Sequence, residues 1–134
     1  ELAFPGAVDF LPVRRLVIAS GGLTRDFPSF VRTLPEADLG HPGLRGWVLQ
    51  GERGSVLYWE ADTEVALPEH GHAECWGVVV DGRMELTVDG YTRIHARSDL
   101  YVIPPQVRHR VRVFPGFRGV EHLSDPRLLM LRKR

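Results

Sequence analysis

Apolar and polar residues alternate over short stretches through most of the chain after residue 43, a pattern typical of strands that bury one face. The clearest case is residues 107–113, where Val107, His109, Val111 and Val113 share one face and arginines occupy the other. Strands are predicted over residues 45–50, 55–61, 64–67, 78–80, 83–88, 91–96, 100–103, 107–113 and 117–123. Many short strands without a long helix indicate an all-β sandwich or jelly roll.

The first 43 residues lack this regular alternation. A strand is predicted over residues 16–19, and a short helix within residues 26–34 that begins at Asp26 or Ser29. Frequent prolines favour an arm that wraps over a surface, either of its own barrel or of a partner subunit. The predicted organisation is therefore an irregular N-terminal arm, residues 1–43, followed by a single barrel, residues 44–134.

Length and charge limit what the protein can be. A chain of 134 residues suits one domain, and no stretch is long and apolar enough to cross a membrane. The 17 basic and 17 acidic residues balance, so we expect neither nucleic acid nor a membrane as a partner. The single cysteine excludes an internal disulfide, and no signal peptide is visible. These features together predict a cytoplasmic protein.

Three histidines fall at strand positions that are expected to face the interior. His70 and His72 are one residue apart, so in a regular strand both side chains point to the same face. His109 shares its face with valines and so points inward. A single inward histidine is usually a hydrogen-bonded core residue. Three neutral imidazoles in one interior, however, form a site for a divalent transition metal with positions left open for a substrate.

The order of these residues resembles the two sequence motifs of the cupin superfamily of small barrels. The first motif, G(x)5HxH(x)3-4E(x)6G, is matched by His70, His72 and Gly82. The second motif, G(x)5PxG(x)2H(x)3N, is matched by Pro104 and His109. The closest similarity is to small single-domain bacterial cupins with HxHxxQWG-like segments. The resemblance implies a double-stranded β-helix barrel, or jelly roll, in which the three histidines hold a metal.

The sequence departs from the first motif at the fourth ligand. The family spacing, counted back from Gly82, places Cys75 where the motif has a glutamate and where the similar small cupins commonly have a glutamine. Glu74 keeps the face of His72 if the strand continues without a bulge. Cys75 or Glu74 is therefore predicted to complete the metal site, and the alternative for Cys75 is a buried apolar role. A thiolate would favour zinc or iron, and a carboxylate would favour iron or manganese.

The resemblance implies a metal-dependent enzyme that acts on a small organic molecule. An oxidoreductase of the Fe(II) dioxygenase type is favoured, with iron as the expected metal and zinc, manganese or nickel as alternatives. Two other functions stay open: a non-redox cyclase, isomerase or lyase, for example on polyketide-like substrates, and a binding or sensing module without turnover. Cupins also commonly form homodimers in which an arm covers the partner, so a homodimer is expected.

Three further side chains are candidates for the lining of the active cavity. Tyr58 and Tyr101 lie on predicted strands and offer a phenolic proton donor, although a half-buried strand tyrosine is commonly a packing residue. His122, on the last predicted strand, is a candidate acid–base group or additional ligand.

Overall fold

The computed structural model describes residues 26–71 and 73–124, and the strand predicted over residues 16–19 lies outside them. The described chain contains one short helix, α1 (Ser29–Arg32), and ten strands. The strands are β1 (Glu36–Ala37), β2 (Leu44–Gln50), β3 (Ser55–Ala61), β4 (Val65–His70), β5 (Cys75–Asp81), β6 (Arg83–Val88), β7 (Tyr91–Ala96), β8 (Leu100–Ile103), β9 (His109–Val113) and β10 (Arg118–Leu123). No helix in this part of the chain is long and apolar enough to span a membrane.

The strands form two antiparallel sheets. One sheet has six strands in the order β1-β2-β3-β10-β5-β8, and the other has four in the order β4-β9-β6-β7. Strands distant in sequence are therefore neighbours: β10 lies between β3 and β5, and β9 lies between β4 and β6. This topology confirms the predicted all-β jelly roll.

The core consists of the side chains on the two inner faces of these sheets. Burial in β9 alternates as the sequence predicts, with His109, Val111 and Val113 buried and the arginines between them exposed. The same cluster includes the large side chains Trp59 and Phe117. Their rings pack edge to face, with ring centroids 4.7 Å apart. Burial of each such side chain stabilises the fold by about 1.5–3 kcal/mol, before the cost of ordering the chain.

Residues 27–34 lie on the outer face of the six-stranded sheet of their own barrel, and β1 joins the edge of that sheet. Phe27 and Val31 form a second apolar cluster with Trp47 of β2, and Tyr58 of β3 packs against it. The Phe27 ring packs edge to face against the rings of Trp47 and Tyr58, with centroid distances of 6.1 and 5.8 Å. The helix begins at Ser29, one of the two starts that the sequence offers. In the described part of the predicted arm, the chain therefore covers its own barrel.

Three strands differ from the prediction by two residues or more at one end, each for a reason of pairing or turn geometry. The strand predicted to end at Leu67 continues to His70, because His70 pairs with His109. The strand predicted over residues 78–80 begins earlier, at Cys75, because residues 75–77 pair with both β8 and β10. The strand predicted from Val107 begins only at His109. Gln106 adopts a positive φ of 64°, and Val107 N–H bonds to Pro104 O at 3.4 Å, so this segment is a turn.

Two glycines with similar backbone angles differ in their surroundings. Gly82, between β5 and β6, has φ +72°, and a Cβ there would lie 2.8 Å from the Phe117 Cα. Gly90, in the β6–β7 turn, has φ +82° with open space around it. A Cβ at either position strains the left-handed backbone, but at Gly82 it also collides with a neighbouring strand connection.

We therefore expect Gly82→Ala to lower the free energy of unfolding by about 2–4 kcal/mol and Gly90→Ala by about 1–2 kcal/mol. Urea unfolding of both variants measures the difference. Because the backbone strain is common to both, equal losses would show that the contact with Phe117 has no energetic effect.

Candidate functional site

A β-bulge in β4 turns His70 toward the interior. Leu67 pairs with Val111 and His70 pairs with His109, so Pro68 and Glu69 together stand opposite a single residue of β9. Without the extra residue, strict alternation from the inward Leu67 would turn His70 outward. Proline is common at bulges because it has no N–H to donate to the hydrogen bonds between strands. The inward direction of His70 therefore depends on an irregularity that the simple alternation of the sequence does not include.

His70 and His109 form a facing pair across β4 and β9. Their ring centroids are 4.3 Å apart, and His109 is only 1% exposed. The Nδ1–H of His70 donates to Pro68 O at 2.7 Å, and that of His109 donates to Val107 O at 3.0 Å, because a carbonyl oxygen can only accept. In each neutral ring the lone pair then lies on Nε2, which is the form in which imidazole binds a metal.

The third predicted ligand, His72, lies outside the described residues, so its role stays a prediction. Within residues 26–71 and 73–124, no three side chains of His, Cys, Asp or Glu come together as a metal site. The described chain thus provides two imidazoles whose tautomers suit a metal, and a complete centre requires at least one further donor.

The two candidates for the fourth ligand differ in their placement. β4 ends at His70 and β5 begins at Cys75, so the strand does not continue through Glu74, and the Glu74 side chain is exposed. Cys75 is 1% exposed and belongs to the inner core cluster. Burial, and secondly the neighbouring Glu121 carboxylate, raise the pKa of the Cys75 thiol far above its usual range. The thiol is therefore protonated at neutral pH unless a cation stabilises the thiolate.

Glu121 is an interior acid that the sequence analysis did not select. On the inner face of the six-stranded sheet, Tyr101, Gly77 and Glu121 lie side by side on β8, β5 and β10. The Tyr101 ring extends over Gly77, where any Cβ would overlap it, and its hydroxyl donates to Glu121 Oε1 at 2.5 Å. Burial and then the Glu121 charge raise the pKa of Tyr101 well above its ordinary value.

The alternation of residues along β10 identifies position 121 as inward. A charged residue does not fit the apolar pattern by which inward positions are recognised, so Glu121 was missed. Along β10 the inward positions are Gly119, Glu121 and Leu123, as the buried Leu123 indicates. The same alternation places His122, which the sequence analysis selected instead, on the opposite face.

Two of the predicted site residues lie on the outer face of the six-stranded sheet. Tyr58 packs edge to face against Phe27 and Phe30 beneath the helix. His122 is exposed and pairs in register with Val56 and Trp76. The structure thus brings Tyr101 to the interior with Cys75, and it separates Tyr58 and His122 from the histidine pair.

Comparison with known proteins agrees with this architecture. Residues 55–116 match the family model for the cupin domain. No curated protein has a significant match to the chain. Among solved structures, an RmlC-like cupin from Shewanella frigidimarina is 23% identical, with 77% of this chain and 94% of that chain covered and a TM-score of 0.66.

Two other similar structures come from named proteins. KdgF from Halomonas sp. is 22% identical, with 69% of this chain and 87% of that chain covered and a TM-score of 0.61. Oxalate decarboxylase from Bacillus subtilis, described with Mn(II) centres, is 15% identical, with 71% of this chain and 28% of that chain covered and a TM-score of 0.56. At these identities the likeness concerns the fold. Together, the match over residues 55–116 and the shared architecture show that the described chain has the cupin jelly-roll fold.

Proposed function

We propose that this protein is a metal-dependent cupin enzyme that acts on a small organic molecule, with an Fe(II) oxygenase as the favoured form. The observation that carries the proposal is the facing pair of His70 and His109, whose Nδ1 atoms are both engaged by backbone carbonyls. That arrangement gives both rings the tautomer in which imidazole binds a metal through Nε2, and it fixes the orientation of both rings. A purely structural histidine pair needs no such common tautomer.

The donor types proposed for this centre suit a first-row transition metal. His70 and His109 would hold the ion together with His72, and Cys75 is the buried candidate for a fourth donor. Imidazole and thiolate ligands favour iron or zinc, and manganese and nickel are the alternatives. When bound, such an ion supplies either dioxygen chemistry or the polarisation of a carbonyl.

Tyr101 and Glu121 would orient groups in the interior rather than bind the metal directly. The only hydroxyl proton of Tyr101 is engaged by Glu121, so Tyr101 does not present a free proton to a substrate in this state. Its role is instead to hold the Glu121 carboxylate beside Cys75, which that carboxylate contacts through a side-chain hydrogen bond. This is a narrower role than the proton donor expected from the sequence.

The hydrogen-bonded Tyr101 and Glu121 favour a second candidate function, a non-redox cyclase, isomerase or lyase. A carboxylate held by a tyrosine inside the barrel can serve as an acid–base group, and non-redox reactions at a polarised carbonyl require such a group. For this function the ion would be zinc, nickel or manganese.

The homodimer implied by the cupin resemblance stays a proposal. Three apolar side chains on the strands β5 and β8 support it: Trp76 is 47% exposed, Leu100 is 58% exposed and Val102 is 56% exposed. Exposed apolar side chains that lie close together are typical of surfaces that contact another protein.

His109→Ala is expected to reduce the metal content of the purified, untagged protein at least tenfold, because it removes a buried ligand. Elemental analysis of the wild type and the variant measures this loss, and circular dichroism shows that the barrel stays folded. His122→Ala is the matched control, since His122 lies on the outer face. Equal metal content in both variants would overturn the metal centre.

Cobalt substitution tests the position of the fourth ligand. The Co(II) form of the wild type should show a thiolate charge-transfer band, because a bound cation stabilises the Cys75 thiolate against burial. Cys75→Ser should abolish the band, whereas Glu74→Gln should leave it unchanged. A wild-type protein without the band would exclude Cys75 as a ligand.

The reaction class can be measured as dioxygen uptake by the iron-loaded protein in the presence of aromatic, thiol or polyketide-like compounds. An oxygenase should consume dioxygen in proportion to the compound converted, and His109→Ala should abolish this uptake. Conversion without uptake would contradict the oxygenase and support the non-redox enzyme. Tight binding without conversion would instead support the binding or sensing module.

A further inference from the structure

A cleft of about 360 Å³ opens between β7 and β8, the edge strands of the two sheets. Leu86, Val88 and Val102 contribute apolar surface to it, and Arg93, His95 and Tyr101 contribute polar groups. This volume lies at the lower end of the range of about 300–1,000 Å³ that is common for small-molecule sites.

The cleft adjoins the histidine pair. Val88 pairs in register with His109, and His109 pairs with His70, so these three residues form one row across the four-stranded sheet. Neighbouring strands are about 4.8 Å apart, which places the Val88 backbone one strand from that of His109. On the opposite wall Tyr101 extends to Glu121. Two residues of the cleft wall are therefore linked to interior groups: Val88 is the register partner of His109, and Tyr101 donates to Glu121.

Arg93 introduces a positive charge into this cleft without an acidic partner. It pairs in register with Leu86, an apolar residue, and forms no ion pair with the described part of the chain. Several other arginines of the barrel do have such partners, for example Arg112 with Glu64 at 2.9 Å and Arg45 with Glu36 at 2.9 Å. A guanidinium beside apolar surface, with no internal acid, suits a carboxylate brought by a ligand.

His95 provides a second polar group on the same strand face. Its Nδ1 is buried and has no hydrogen-bond partner among the residues described. Its register partner, Met84, offers no polar atom in its side chain that could serve as a strong acceptor, and the ring of His95 meets Tyr101 edge to face at 5.8 Å. A buried polar atom without a partner is uncommon in a native protein, and a ligand or a bound water commonly accounts for it.

We propose that the β7–β8 cleft binds the carboxylate end of the substrate, and that the substrate is a small organic acid with an apolar body. Arg93 pairs with the carboxylate, and Leu86 and Val88 contact the body beside the ring of His95. This rests on the proposed function in one respect, namely that the bound molecule extends from the cleft toward His109. Arg93 is then the residue that selects acids over neutral compounds of the same shape.

Calorimetric titration of the full chain after removal of metal tests the proposal, with benzoate as the acidic probe and benzamide as its neutral counterpart. Removal of metal prevents the carboxylate from binding through an ion instead of Arg93. The test variant is Arg93→Gln. Arg53→Gln is the matched control, because Arg53 is an exposed arginine in the β2–β3 turn and lies outside the cleft.

Wild type and Arg53→Gln should bind benzoate equally, and Arg93→Gln should bind it about tenfold more weakly or worse. Benzamide should bind at least tenfold more weakly than benzoate and should not respond to Arg93→Gln. The proposal is overturned if Arg93→Gln binds benzoate as tightly as the wild type, if benzamide binds as tightly as benzoate, or if the wild type binds neither.

These results separate the cleft from the metal centre. If benzoate binding depends on Arg93 but the wild type as purified carries no more metal than His109→Ala, the cleft is supported and the proposed enzyme is contradicted. If the wild type retains metal that His109→Ala loses, and Arg93→Gln has no effect on benzoate binding, the metal centre is supported and the cleft is contradicted.

Discussion

The two-residue period of β9 determines the arrangement of the interior. One face of this strand carries His109, Val111 and Val113, which are buried, and the other carries arginines. Because β9 is central in its sheet, its inner face fixes the partners on both sides: His70 on β4 and Val88 on β6. The valines exclude water from the histidine and hold the ring at one position. The candidate centre is therefore a product of the same alternation that forms the core.

The opposite face of β9 stabilises the pairing with β4 without entering the core. Arg108, directly before β9, contacts Glu69 of β4 at 3.1 Å, and Arg112 of β9 contacts Glu64, directly before β4, at 2.9 Å, so one ion pair lies near each end of the β4–β9 pairing. Each is exposed and contributes little to stability, about 0–1 kcal/mol. The ion pairs favour the observed register between β4 and β9. A shift of one residue would bring the arginines to the inner face and remove His109 from it.

Alternation in the sequence was sufficient to predict most of the fold. The bounds of β3, β6, β7 and β8 agree with the prediction, and His109 faces inward as expected. The bulge in β4 could not be obtained in this way, because it depends on how that strand pairs with β9, a contact between segments about 40 residues apart. Pro68 is the only feature of the local sequence that is typical of a bulge at this place. Glu121 was missed for another reason: a charged residue in an inward position contradicts the apolar pattern by which inward positions are recognised.

The Tyr101 ring that lies over Gly77 makes two positions of the chain interdependent. A larger residue at position 77 leaves no space for the ring, and a smaller residue at position 101 leaves both a void above β5 and a carboxylate at Glu121 without its donor. During divergence from a common ancestor, neither position is then free to change alone. Related sequences should contain either the glycine together with the tyrosine or a different pair, and that covariation would identify the homologues that use the interior acid in the same way.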